Sequence, residues 1–206
     1  MLDVAGRLIV VIGGGAVAVR KTKGLLEAGA TRVRVVALEF HADMPPTVER
    51  IVAAYGSHHL DGGHLVFAAA DVAAVNEQVC CDAAKRGIWV NRSDEGERGS
   101  FSTPAKHQDG EVIVTVTAGS AALSAAIRDD LAAKLDQRHV KLAEAMKTLR
   151  PAVRTAEADP HRRAMIFRDL ASGDAIAVME AKGIDGLRQW IWARYPELKL
   201  GCKTTE

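Results

Sequence analysis

The chain has 206 residues, 48% of them hydrophobic, and its 27 basic and 26 acidic side chains leave a formal charge of +1. That is enough for one domain with a sizeable core or for one domain plus a smaller appendage. Near-balanced charge withholds the broad basic footprint of a nucleic-acid binder, and no run approaches the ~20 apolar residues of a membrane-spanning helix.

The apolar run Leu8-Ile9-Val10-Val11-Ile12 reads as a buried strand and leads directly into Gly13-Gly14-Gly15-Ala16-Val17-Ala18, a glycine turn opening a helix. In that order, strand, turn and helix make the phosphate-binding arrangement of a dinucleotide fold. Gly13 suits the sharp turn, Gly15 lets backbone amides approach a pyrophosphate, and Ala18 keeps the helix near the sheet. A second apolar strand, 33–38, ends in Glu39, an acid placed to accept hydrogen bonds from an adenosine ribose, which favours NAD over NADP. The plainer alternative is an ordinary tight turn and a solvated acid.

Pro45-Pro46 marks a loop, and 47–55 reads as a short helix. A strand over 64–70, a helix over 72–86 closed by Gly87 and a short strand over 88–91 repeat the alternation, so the expected class is α/β with a parallel sheet covered on both faces. The loops that begin at Gly13, Glu39, Asp71 and Asn91 should then converge on one crevice. Residues 93–102 form a polar loop with Asp94, Glu95, Glu97 and Arg98, and a β-branched strand over 111–117 follows Pro104. Ser120 is placed to cap a helix over 121–135. Beyond it, 139–157 and 161–171 carry apolar positions at helical spacing, and Gly173 and Gly183 punctuate shorter helices that end near Tyr195-Pro196.

Cys80, Cys81 and Cys202 make neither a disulfide framework nor a CxxC pair, and they read as reduced thiols. The first strand begins with no secretory leader ahead of it, so the expected compartment is the cytoplasm. The histidine spacings match no closed metal site, so no metal is expected. Arg20, Lys21 and Lys23 follow the glycine turn, either as a basic rim for anionic substrates or as a solvated helix face. Trp190, Trp192 and Tyr195 read as packing for the helical tail.

Several strings, taken in order, resemble the NAD-dependent dehydrogenases that oxidise precorrin-2 to sirohydrochlorin, found alone or as the N-terminal part of siroheme synthases. They are Gly13-Gly14-Gly15-Ala16-Val17-Ala18 with Arg20-Lys21, Leu25-Leu26-Glu27-Ala28-Gly29-Ala30, Ala69-Ala70-Asp71 with Asn76, and Asn91-Arg92-Ser93-Asp94 with Phe101 and Pro104. The resemblance implies a Rossmann-like NAD-binding domain over 1–110, a dimerisation segment over 111–136 and a small all-helical domain over 137–206. It implies NAD contacts at Gly13, Gly15, Ala16, Val17, Leu38, Glu39 and Ala69, with Asn91 and Ser120 toward a tetrapyrrole substrate. The aspartate of its Asn-x-x-Asp string is Asp94, a candidate general base and, in bifunctional relatives, a residue implicated in iron insertion. His139 is a minor candidate, because relatives carry a cleft histidine near it, although an ungapped comparison puts Arg138 at that place.

The chain departs from the family pattern where Thr117-Ala118-Gly119-Ser120-Ala121-Ala122 stands for a loop close to Thr-Gly-Gly-x-Ser-Pro, and where Ala70 replaces a threonine. The expected protein is a homodimeric enzyme. A non-catalytic NAD-sensing module is the alternative, since one scaffold hosts many functions.

Overall fold

The computed structural model describes residues 2–95 and 98–201, so Glu97 and Cys202 lie outside the described residues. Two compact units divide at Met1–Thr103 and Pro104–Glu206. In the first unit, β1 (Leu8–Ile12), β2 (Arg32–Ala37), β3 (Glu49–Val52), β4 (Leu65–Ala68) and β5 (Trp89–Arg92) form a parallel sheet in the order β3-β2-β1-β4-β5. Helix α1 (Ala16–Glu27) follows β1, and α2 (Ala73–Lys85) follows β4.

Burial on both faces explains the unbroken apolar run of β1, all five residues of which are buried. Ile9 and Val11 pack with Ala18, Leu25, Val35 and Phe67 on one side, while Val10 and Ile12 pack with Val36, Val66, Val79 and Ala83 on the other. Strand order reverses between β1 and β4, and that switch point is where such a sheet opens a crevice at its carboxyl edge.

The expected helix over 47–55 is instead β3, an edge strand. Its Glu49 sits in register with Arg34 of β2 and pairs with it at 3.0 Å. Ile51 and Val52 are β-branched and suit a strand, and the open edge of β2 supplies the partner that the short segment needs.

The second unit begins with the antiparallel hairpin of β6 (Ala105–Asp109) and β7 (Val112–Val116), against which α3 (Ala121–Ala133) packs. Strand β6 was not expected, because Ala-Lys-His-Gln-Asp lacks β-branched residues. Its signal is the two-residue loop Gly110-Glu111, with glycine at the first position at φ 52°. Helices α4 (Gln137–Ala156), α5 (Pro160–Leu170) and α6 (Gly173–Arg194) close a separate core around Leu149, Ile166, Leu170, Leu187 and Ile191. Gly183 breaks α6 with φ 65°, as its position in the sequence suggested, and Trp190, Trp192 and Tyr195 pack against that core. No helix among the described residues is long and apolar enough to cross a membrane.

Candidate functional site

The carboxyl ends of β1, β2 and β4 wall a cleft of about 600 Å³. Its floor is the glycine loop, clamped from both sides: the Gly13 amide donates to Val36 O at 2.9 Å, and the His41 amide donates to Gly14 O at 2.8 Å. Gly13 has φ 126°, and a Cβ on it would lie 2.2 Å from Ala69 O; one on Gly14 would lie 1.9 Å from Glu39 O. The tight packing assigned to Gly13 from the sequence is therefore shared with Gly14, for which sequence reasoning named no role.

Gly15 is different. Its φ of −80° suits any residue, and a Cβ there would come no nearer than 3.7 Å to another atom, the Asp71 carboxylate. Nothing inside the fold requires glycine at this position. Gly15 is also the N-cap of α1, where no side chain caps the backbone and the first turn carries no acid. The helix thus presents free N–H groups and the positive end of its dipole to the space beside Gly15, where Asp71 is the nearest side chain, an arrangement that suits an anion such as a pyrophosphate.

Leu38 and Glu39 both line the cleft and are exposed, Leu38 by 69%. An uncovered leucine beside an acid gives an apolar surface next to a hydrogen-bond acceptor, the pair of features an adenosine needs. On the opposite wall stand Ala70, Asp71 and the exposed Val72. Ala69 is buried beneath the loop, with its carbonyl against Gly13, while Ala16 and Val17 are exposed in the first turn of α1. These features fit a dinucleotide, with the loop and helix start for its phosphates and Glu39 for a ribose.

Two supports of the cleft were not assigned roles from the sequence. Asn76, 1% exposed on α2, donates to Ala70 O and accepts from the Ala70 amide, both at 2.9 Å, so it locks the turn after β4. Tyr55 lines the cleft and donates its hydroxyl to the buried Asp82 at 3.1 Å; burial and that neighbouring carboxylate push the phenol well up.

At the end of β5, Asn91 is buried and donates to Phe101 O at 3.0 Å, while its Oδ1 has no hydrogen-bond partner among the described residues. Asp94 follows and accepts two hydrogen bonds from Arg92, at 3.0 and 3.3 Å. The guanidinium beside it holds the Asp94 carboxyl below its usual range against the opposing effect of burial. Arg20 and Lys23 are exposed, whereas Lys21 is half-buried over the Phe67 ring and donates to Thr103 Oγ1 at 2.6 Å, so it does not belong to an open basic rim. Burial, with Arg20 alongside, pushes the Lys21 amine down.

In the second unit, Ser120 caps α3 by accepting from the Leu123 amide at 3.1 Å, and His139 is exposed on the first turn of α4. Among the described residues no group of three or more His, Cys, Asp or Glu side chains is placed to hold a metal. Cys80 and Cys81 are free thiols, Cys80 packing against the α2 side of the sheet.

The chain is 32% identical over 192 residues to siroheme synthase 2 of Aeromonas hydrophila subsp. hydrophila, covering 90% of this chain and 41% of that protein. It is 34% identical over 176 residues to the siroheme synthase of Chromobacterium violaceum, covering 82% and 37%. The chain therefore spans about two fifths of the length of these relatives. A solved structure of SirC, precorrin-2 dehydrogenase, shares the fold with a TM-score of 0.76 at 22% identity, covering 94% of this chain and 98% of that one. Residues 1–105 match the NAD_binding_7 model of NAD(P)-binding domains. With the uncapped helix start at Gly15 and the acid at the end of β2, this match places the chain in that NAD(P)-binding family.

Proposed function

We propose that the protein catalyses the NAD-dependent oxidation of precorrin-2 to sirohydrochlorin. The observation that carries this reading is that the uncapped helix start at Gly15 and the exposed acid Glu39 line one cleft at the carboxyl edge of the sheet, while Asp94, outside the lining of that cleft, follows β5 on the same edge. Similarity to siroheme synthases over 90% of the chain supplies the substrate class.

Bound NAD⁺ supplies a hydride acceptor. The N–H groups at the start of α1 hold its pyrophosphate, with the backbone of Ala16 and Val17 in that turn, and Glu39 accepts from ribose hydroxyls beside Leu38. Ala69 supports the loop from below. The oxidation removes one hydride and one proton from the tetrapyrrole, and Asp94, ionised at neutral pH, receives the proton and passes it to water. Asn91 offers the free acceptor Oδ1 at the same strand end, and we read Ser120, the cap of α3, as a second substrate residue. Insertion of iron into the product is a further reaction of the same site in this reading, with the metal ion as substrate.

We read the chain as a homodimer. Helix α3 buries only Ser124, and Ile113, Leu123 and Leu131 are left 37%, 51% and 45% exposed on the hairpin and α3, an apolar surface suited to a second copy. On this reading residues 1–110 bind NAD, 111–136 dimerise and 137–206 form the helical domain. A cytoplasmic setting suits both the free thiols and the cofactor.

Asp94→Ala tests the enzymatic reading against a sensor. Retained NAD binding with dehydrogenation reduced at least about 100-fold is expected, within the range for removing a general base. Wild-type turnover in that variant would overturn the role of Asp94.

A further inference from the structure

Arg92 closes β5 with its side chain 3% exposed, although nothing in the proposed chemistry calls on a buried cation there. A guanidinium is kept in such a place only with partners. Its fork meets Asp94 with two parallel bonds, Nε to Oδ1 at 3.0 Å and Nη2 to Oδ2 at 3.3 Å, and its remaining edge donates to Glu77 on α2. Glu95 stands 3.7 Å from Nη2, and the exposed Arg98 closes the outside of the cluster on Glu77 at 3.1 Å and Glu95 at 3.0 Å. Cys80 also faces this group from α2, and burial pushes its thiol up, so it adds no charge at neutral pH. Asn76, on the same helix, is neutral. Arg92 is thus the one cation that touches Asp94 among the described residues, and Glu77 is the acid that shares it.

We propose that Arg92 is a positioning residue of the site: it fixes the Asp94 carboxylate at the end of β5 and, balanced by Glu77, sets the pH below which Asp94 stops accepting a proton. This rests on the reading of Asp94 as the proton acceptor. The planar fork matters because two parallel bonds fix the carboxylate plane, which a point-charge ammonium does not do. The two partners of the pair act in opposite directions. Loss of the guanidinium leaves Asp94 beside Glu77 and Glu95 with no cation in contact, Arg98 being paired with those two acids, so its proton affinity rises; loss of the Glu77 charge leaves Arg92 to Asp94 and the more distant Glu95, so the proton affinity of Asp94 falls. The reaction stays balanced, with the hydride going to NAD⁺ and the proton to Asp94 and then to solvent.

The test compares wild type with Arg92→Met, Arg92→Lys and Glu77→Gln in two readouts. One is the Asp94 carboxyl titration by carbon NMR on the folded protein without substrate, assigned with Asp94→Asn; the other is the pH profile of kcat/KM for NADH formation. The expected result is an upward move of the Asp94 titration and of the acid limb by about one pH unit in Arg92→Met, a roughly tenfold loss on the acid side. Glu77→Gln moves both downward. Arg92→Lys folds with its charge retained, keeps the acid limb near wild type and lowers the plateau. An Asp94 titration unmoved by every variant overturns the proposal whatever the activity does. If Arg92→Met does not fold, Arg92→Lys and Glu77→Gln decide: a plateau and acid limb both at wild type overturn it. Should the titrations move while Asp94→Asn turns over at the wild-type rate, it is the reading of Asp94 that fails, and Arg92 loses its positioning role with it.

Discussion

Gly14 packs so closely on the Glu39 carbonyl that a Cβ would stand 1.9 Å from the oxygen, whereas a Cβ on its neighbour Gly15 would meet nothing nearer than the Asp71 carboxylate at 3.7 Å. Two adjacent glycines therefore serve different ends, one the fold and the other the ligand. Gly14→Ala should destabilise the first unit by about 1–3 kcal/mol, the range for overpacking. Gly15→Ala should leave the melting temperature within a degree or two and weaken NAD binding at least about tenfold, since its methyl group intrudes on the anion site. Thermal melts and isothermal titration with NAD⁺ check both.

The reciprocal bonds between Asn76 and Ala70 tie α2 to the turn that walls the cleft. Asn76→Ala would leave the Ala70 N–H and C=O short of their partners, at a cost of about 2–4 kcal/mol from two unsatisfied groups. Denaturant unfolding should show this loss, together with weaker NAD binding from a loosened turn. Unchanged stability would mean that water replaces the amide.

Glu39 is exposed, so its removal should cost the fold little. Glu39→Ala is expected to weaken NAD about tenfold, the loss of a charge-assisted pair of hydrogen bonds, with no change in melting temperature. Affinity for NADP should fall less, because the acid repels a 2′-phosphate. Equal losses for the two cofactors would place the ribose elsewhere.

His59 is buried against His58, with ring centroids 4.0 Å apart, and its Nδ1 accepts from the Gly56 amide at 3.0 Å. Burial first, then the neighbouring His58 and Arg34, holds its pKa below the ordinary value of 6.5. A depressed histidine stabilises the fold fully above its unfolded pKa, and that contribution is lost as pH falls through the folded value. Melting temperature should therefore decline below about pH 6.5, and His59→Asn, which keeps an acceptor in place of Nδ1, should flatten the decline. An identical pH dependence in the variant would contradict this.

The central sheet was legible because its strands are buried on both faces, which forces long apolar runs such as Leu8–Ile12, and because glycines and acids mark their carboxyl ends. The edges were not. Glu49–Val52 and Ala105–Asp109 become strands through the neighbours they pair with: the first is too short for Ile51 and Val52 alone to announce it, and the second has no β-branched residue. At the site, Gly13, Gly15, Leu38 and Glu39 were readable from spacing and resemblance, and they do line one cleft. The clamp by Asn76 and the burial of Arg92 were not, because each is decided by a partner on another element: Ala70 beyond β4 in one case, and Glu77 on α2 in the other. Lys21 misled for the same reason, its fate being set by Thr103 at the far end of the first unit.

The most direct measurement is anaerobic incubation of the purified protein with precorrin-2 and NAD⁺, following NADH and sirohydrochlorin together. The cleft described here predicts that they form in equal amounts, at a rate proportional to protein. Intact NAD binding with neither product above a protein-free control would contradict the dehydrogenase and leave a cofactor sensor in its place.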